Sequence, residues 1–274
     1  MNQTNPLQKY FRQPKVYISL PSKGLYYEPG ALKGDYNNVP IFAMTGMDEI
    51  IYKTPDALFS GEATSKVIES CCPSIKNASK IPSIDIDALM IAIRIATFGN
   101  TMTVTQTCKN CGTENDFEIE LQTLIDYYNN LKFTNTIQIN DNLSIKIRPL
   151  QYDEMSYFSI ENFKLQKTLF QINELADDQK QKQIDSIYEK LSDLQLQLFL
   201  TVIESVHTPD GVVQDKNFIE EWLRNAERDS YNNIKTKIEA NKAEWAIPNR
   251  PVKCANCGTE SAIQVVLDQS NFFA

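Results

Sequence analysis

Two stretches of this chain carry residues whose types and spacing could do chemistry. Thr107-Cys108-Lys109-Asn110-Cys111-Gly112-Thr113-Glu114 lies near the middle, and Lys253-Cys254-Ala255-Asn256-Cys257-Gly258-Thr259-Glu260 near the end. Both read Cys-x-x-Cys-Gly-Thr-Glu, with Asn before the second Cys. Glycine at that place permits the left-handed turn that aims backbone N–H groups at the sulfurs, the form of a zinc knuckle. Two knuckles supply four thiolates, which make a closed tetrahedral zinc site rather than a catalytic one with an open position. Cys108, Cys111, Cys254 and Cys257 are therefore the expected ligands of one structural Zn2+ that would join remote parts of the chain.

Redox chemistry is the competing use of a Cys-x-x-Cys pair. It needs a thiol at a helix N-terminus to lower its pKa, whereas strand-like runs, 102–106 and 117–121, flank the first pair and another, 263–267, follows the second. The polar opening, 1–14, reads as no signal peptide, and the longest apolar run, 88–98, contains Arg94 and is too short to span a bilayer. A reducing compartment is the expectation, and there paired cysteines read as metal ligands. The remaining two of the 6 cysteines, Cys71 and Cys72, are adjacent and read as small buried side chains at a helix end, with a spare metal ligand as the alternative.

Other catalytic machinery is missing from the pattern. His207 is the single histidine, and no nucleophile, base and orienting group assemble around it. No phosphate-binding glycine loop, His-Glu-x-x-His or serine elbow occurs, so the chain reads as no enzyme. With 274 residues and 42% hydrophobic content it can bury a sizeable core. A net charge of −8 makes a poor general binder of phosphate backbones.

The elements that must position the knuckles read as an α+β, mostly helical chain. A strand over 15–20 and turns at 21–24 and 29–30 follow the polar arm. After a strand over 39–44, Thr45 and Asp48 have the spacing of a capping box for a helix over 46–52. Helices follow from Thr54-Pro55 to Gly61, over 64–72, and over 83–98, the last apolar on most of its circumference and stopped by Gly99-Asn100. A helix over 123–131 leads from the first knuckle to a hairpin of 136–139 and 143–148. Helices are then expected over 154–173, 177–191, 194–206, 216–226 and 229–239, with a turn at Thr208-Pro209-Asp210-Gly211.

Repetition extends beyond the cysteines. Asp48-Glu49 matches Asp153-Glu154, Val67-Ile68-Glu69-Ser70 matches Val202-Ile203-Glu204-Ser205, and Cys108 matches Cys254, in the same order. The pattern suggests an internal duplication of strand, helices and knuckle, with a charged insertion in the second copy. The corresponding division is an N-terminal arm over 1–38, a first repeat with its knuckle over 39–125, a second repeat over 126–245, and the second knuckle with a C-terminal strand over 246–274.

Three stretches carry a resemblance: Leu20-Pro21-Ser22-Lys23-Gly24-Leu25-Tyr26-Tyr27, Met44-Thr45-x-x-Asp48-Glu49, and Ala92-Ile93-Arg94-Ile95-Ala96-Thr97-Phe98-Gly99-Asn100 ahead of a Cys-x-x-Cys-Gly. With them the chain, over 15–160 above all, resembles the base plate protein family of T-even-type contractile-tailed phages. The resemblance implies a structural or assembly role at the baseplate hub, with other hub or tail proteins as partners, no membrane, and no catalytic residues. The place implied is the host cytoplasm during assembly or the virion tail baseplate. The four-cysteine site rests on this sequence alone. The competing function is a phage zinc-ribbon regulator binding nucleic acid or RNA polymerase, which calls for a basic face near the knuckles. Lys109 and Lys253 are there, but Glu114, Glu118, Glu120 and Glu260 surround them.

Overall fold

A computed structural model describes residues 5–54, 61–172 and 177–265. The chain divides into two compact units, Met1–Leu131 with Ala246–Ala274, and Lys132–Trp245. Helix outweighs strand, and the class is α+β.

The first unit is built around a buried helix. A 3-10 turn, Pro6–Tyr10, replaces part of the extended arm read from the sequence, with Asn5 accepting at its start from the Leu7 N–H. Strands β1 (Pro14–Ile18) and β2 (Val39–Phe42) pair antiparallel. Helix α1 (Gly46–Tyr52) starts on the full capping box: the Thr45 hydroxyl accepts from the Asp48 N–H, and Asp48 accepts from the Thr45 N–H at 2.7 Å. Helix α2 (Glu62–Cys71) buries Ala63, Val67, Ile68 and Cys71. The helix expected from Thr54-Pro55 lies mostly outside the described residues. Helix α3 (Ser83–Phe98) buries nearly its whole circumference, and Gly99 (φ 97°) stops it. Such a helix can exist only as the centre of a core. Strands β3 (Thr101–Thr107) and β4 (Glu114–Glu120) form the ribbon that carries the first knuckle, and α4 (Gln122–Asn130) packs back on α3 through Leu124, Ile125 and Tyr128. Near the other end of the chain, β9 (Arg250–Lys253) and β10 (Glu260–Ile263) make the second ribbon. The strand expected over 263–267 falls partly outside the described residues.

The second unit is a four-stranded antiparallel sheet in the order β5 (Thr136–Asn140), β6 (Leu143–Ile147), β7 (Ile203–Thr208), β8 (Gly211–Val213). Its helices are α5 (Tyr152–Ile172), α6 (Asp177–Val202), α7 (Lys216–Asn225) and α8 (Arg228–Glu244). Ile137, Ile145, Phe199, Ile203, Ile219 and Ile234 meet in its core. Arg148 grips Glu154 through two hydrogen bonds of 2.8 and 2.7 Å, and Glu154 also accepts from the Gln151 N–H.

Two sequence expectations change here. The helices read over 177–191 and 194–206 are one helix that ends at Val202, and residues 203–208 form an inner strand of the sheet. A short apolar run has no periodicity to separate helix from buried strand. Tertiary hydrogen bonds decide it: the Arg148 N–H reaches the Val202 carbonyl at 2.9 Å, and Lys216 Nζ caps the Leu200 carbonyl at 2.6 Å and the Ile203 carbonyl. The second change follows from the first. Val67-Ile68-Glu69-Ser70 lies within helix α2, whereas Ile203-Glu204-Ser205 lies in strand β7, so this tetrapeptide does not mark equivalent positions of a repeat.

Candidate metal centre

Each knuckle is set by the same local hydrogen bonds. The Cys108 N–H donates to the Thr113 carbonyl at 2.8 Å and the Gly112 N–H to the Cys108 carbonyl at 2.9 Å; the matching bonds from Cys254 to Thr259 and from Gly258 to Cys254 are 2.9 and 3.0 Å. Gly112 and Gly258 both take φ 72°, the left-handed turn that the sequence position of the glycine requires.

The two knuckles meet sulfur to sulfur. Cys108 Sγ is 3.6 Å from Cys257 Sγ, and Cys111 Sγ is 3.7 Å from Cys254 Sγ. All four sulfurs lie within 4.8 Å of one another. Four thiolates at about 2.3 Å around one tetrahedral ion stand about 3.8 Å apart, so the donor set and its spacing fit such an ion. Cys254 is buried, whereas Cys111 and Cys257 are exposed.

The polar contacts around the sulfurs are nearly the same in the two knuckles. Thr113 Oγ1 is 3.3 Å from Cys111 Sγ and Thr259 Oγ1 is 3.1 Å from Cys257 Sγ. The Asn before each second cysteine serves the opposite knuckle: the Asn256 amide donates to the Thr113 hydroxyl at 3.0 Å, and the Asn110 side chain favours the Cys257 thiolate. The hydroxyl and N–H of Thr259, followed by Asn110, hold the Cys257 thiol down at about 5, and Thr113 likewise lowers Cys111. Hydrogen bonds to the charged form favour the thiolate, the state a metal needs.

Asn115 breaks the symmetry. It is buried, and its Oδ1 accepts from the Ala255 N–H at 2.9 Å while its Nδ2 donates to the Thr113 carbonyl at 2.9 Å. The same Nδ2 stands 3.5 Å from Cys254 Sγ. Ser261 occupies the matching place after the second knuckle and is exposed. Sequence reading missed Asn115 because a lone Asn in a strand carries no motif. The signal was its position, four residues after Cys111, on the inward face of β4.

The other polar residues singled out in the sequence lie elsewhere. Cys71 and Cys72 are fully buried; burial pushes Cys71 up to about 12 and raises Cys72 as well. They join no metal-ligating group among the described residues. His207 Nε2 is 2.9 Å from the hydroxyl of buried Ser205 on the same strand. Arg94 is buried with its guanidinium 4.8 Å from the Phe98 ring centre, a cation–π contact. Phe272 and Phe273, an aromatic pair that by sequence reads as packing on the nearby ribbon or as an anchor into a partner, lie outside the described residues.

The Leu20–Tyr27 stretch has a structural reason of its own. Asp85, at the start of α3 and fully buried, accepts from the Ser22 N–H (2.7 Å), the Ser22 hydroxyl (2.6 Å) and the Tyr27 hydroxyl (2.8 Å). Lys23, Gly24 and Tyr26 take positive φ to close the loop around that carboxylate. Arg12 anchors the segment before it, donating to the Ser70 carbonyl at 2.7 Å, to Asp48 at 3.3 Å and to the Ala43 carbonyl.

No curated protein and no solved structure matches the chain. A family model does: the T4 bacteriophage base plate protein matches residues 38–274. The match begins after the Leu20–Tyr27 stretch and continues through both knuckles, well past the region where the resemblance is plainest. The chain therefore belongs to the T4 bacteriophage base plate protein family.

Proposed function

We propose that this chain is a structural or assembly protein of the phage tail baseplate hub that works by contacts with other hub or tail proteins. Cys108, Cys111, Cys254 and Cys257 hold one structural Zn2+ that locks the two ribbons together. The observation that carries the metal reading is the set of four sulfurs at tetrahedral spacing, 3.6 and 3.7 Å across the knuckles. Family membership supports the baseplate role.

On this reading the 3-10 turn Pro6–Tyr10 and Phe11, ahead of β1, are offered to neighbouring subunits, while residues 14–38 pack into the first unit. Leu7, Tyr10 and Phe11 are exposed there, and aromatic side chains are typical interface anchors. Surface charge speaks against nucleic acid: Glu114, Asp116, Glu118 and Glu120 are exposed at alternate positions of β4, and such a face repels phosphate.

Elemental analysis of the purified chain should give one zinc per chain. Cys108→Ser and Cys254→Ser should each lose the metal, stability and baseplate assembly together. A variant without metal that assembled normally at unchanged stability would overturn the role of the ion. Tight, salt-sensitive DNA binding would overturn the baseplate reading in favour of a regulator.

A further inference from the structure

We infer that Asn115 is the positioning residue of the metal centre: it latches the second knuckle onto the first and donates a hydrogen bond to the Cys254 thiolate. The inference rests on the four-cysteine reading above and adds a residue outside the ligand set.

Among the described residues, Asn115 is the one side chain that bridges main chain to main chain between the knuckles. Its Oδ1 takes the Ala255 N–H (2.9 Å) and its Nδ2 holds the Thr113 carbonyl (2.9 Å), so the amide ties the turn after Cys111 to the turn after Cys254. The Asn256 amide adds a second cross-contact, 3.0 Å to the Thr113 hydroxyl. Asn115 is 8% exposed, so these bonds are shielded from water, and a buried amide cannot swing away without leaving polar groups unpaired. The packing of strand β4 aims it: residues 114, 116, 118 and 120 face out, while 115 and 119 are buried.

The sulfur contact gives the residue a second task. Cys254 is the buried ligand, far less open to water than Cys111 or Cys257. A thiolate withdrawn from water needs a donor from the protein, and Asn115 Nδ2 stands 3.5 Å from it. Partners of this kind around metal ligands typically change metal affinity about 10–100-fold when removed.

Three variants separate the Oδ1 acceptor, which holds the Ala255 N–H, from the Nδ2 donor. Asn115→Ala removes both the latch and the sulfur donor. Asn115→Asp keeps an oxygen to accept the Ala255 N–H but loses the Nδ2 donor to the Thr113 carbonyl and to the sulfur alike. Ser261→Ala alters the matching exposed position and serves as control. The probes are Zn2+ affinity by chelator competition, the thiolate-to-metal charge-transfer band with Co2+ in place of zinc, and amide exchange at Ala255.

Asn115→Ala should bind Zn2+ about 10–100-fold more weakly, shift the Co2+ charge-transfer band to lower energy, and speed exchange at Ala255. Asn115→Asp should weaken binding and shift the band while keeping Ala255 protected. Ser261→Ala should change none of these. Wild-type affinity and an unmoved band in Asn115→Ala would overturn the positioning role, as would equal losses in Ser261→Ala. A wild-type chain that takes up neither metal overturns the four-cysteine reading instead. The latch is then decided by exchange alone: unchanged exchange at Ala255 in Asn115→Ala refutes it.

Discussion

Asp85 holds Ser22 twice, through its N–H at 2.7 Å and its hydroxyl at 2.6 Å. This pair closes the Leu20–Tyr27 loop on the first turn of α3, and it joins a sequence motif to the helix at the centre of the first unit. The carboxylate is fully buried, and burial raises its pKa from 3.8 to about 6 against the pull of Ser22 and Tyr27. Desolvation outweighs the three hydrogen bonds.

That shift makes stability depend on pH in an unusual direction. The folded carboxyl binds its proton more tightly than the unfolded one, so its contribution is fully present below pH 3.8 and is lost as pH rises through about 6. The span is about 2 pH units, or roughly 3 kcal/mol. The stability of the wild type minus that of Asp85→Asn should therefore fall by about 2 kcal/mol between pH 4 and pH 7 in denaturant titrations. A difference that stays flat or rises over that range would show that Asp85 is not held as described.

Arg12 fixes the segment leading into β1. Arg12→Ala would strip a buried acceptor, Asp48, of its cation and leave the Ser70 carbonyl without this donor. A hydrogen bond to a charged group contributes about 1.5–3 kcal/mol, and a loss of about 2 kcal/mol is expected. Limited proteolysis should then cut near residues 5–14 while the second unit keeps its resistance. Unchanged stability and an unchanged cleavage pattern would refute the anchor.

The knuckle glycines should respond alike. At φ 72° a Cβ strains the backbone, and neither position has a close clash: Gly112 has open space, and Gly258 meets Lys253 Cε at 3.5 Å. Gly112→Ala and Gly258→Ala should each cost about 1 kcal/mol in thermal or chemical unfolding. A cost several times larger at one alone would show that the knuckles are not conformational equals.

On the zinc reading proposed above, removing the metal should act locally. A strong chelator at neutral pH should lower the melting temperature and expose the amides of β9, β10 and both knuckles to hydrogen exchange. The amides of Lys132–Trp245 should keep their protection, because all four cysteines belong to the other unit. Acid should have the same effect as the chelator, since protonated thiols release a metal. Equal loss of protection in both units would mean that the metal holds more than the ribbons.

Much of the fold was legible because several signals were local. The Thr45–Asp48 capping box, the Gly99 stop of α3, the Thr208–Gly211 turn and the two Cys-x-x-Cys-Gly turns each depend on residues within a few positions of one another. The stretch 194–206 was not legible, because helix α6 and strand β7 share one apolar run. Its boundary is set by Arg148 and Lys216, which are remote in sequence.

The sequence by itself determined the ligand candidates. Residue type and spacing fix which sulfurs one turn can present, and a Gly at φ 72° needs no partner to be read. Only the tertiary structure decided that those sulfurs converge, that Asn110 and Asn256 reach across to the opposite knuckle, and that Asn115 and Asp85 are buried and satisfied. These contacts join residues far apart along the chain. Their strength comes from exclusion of water by the packed surroundings, which no local pattern of residues records.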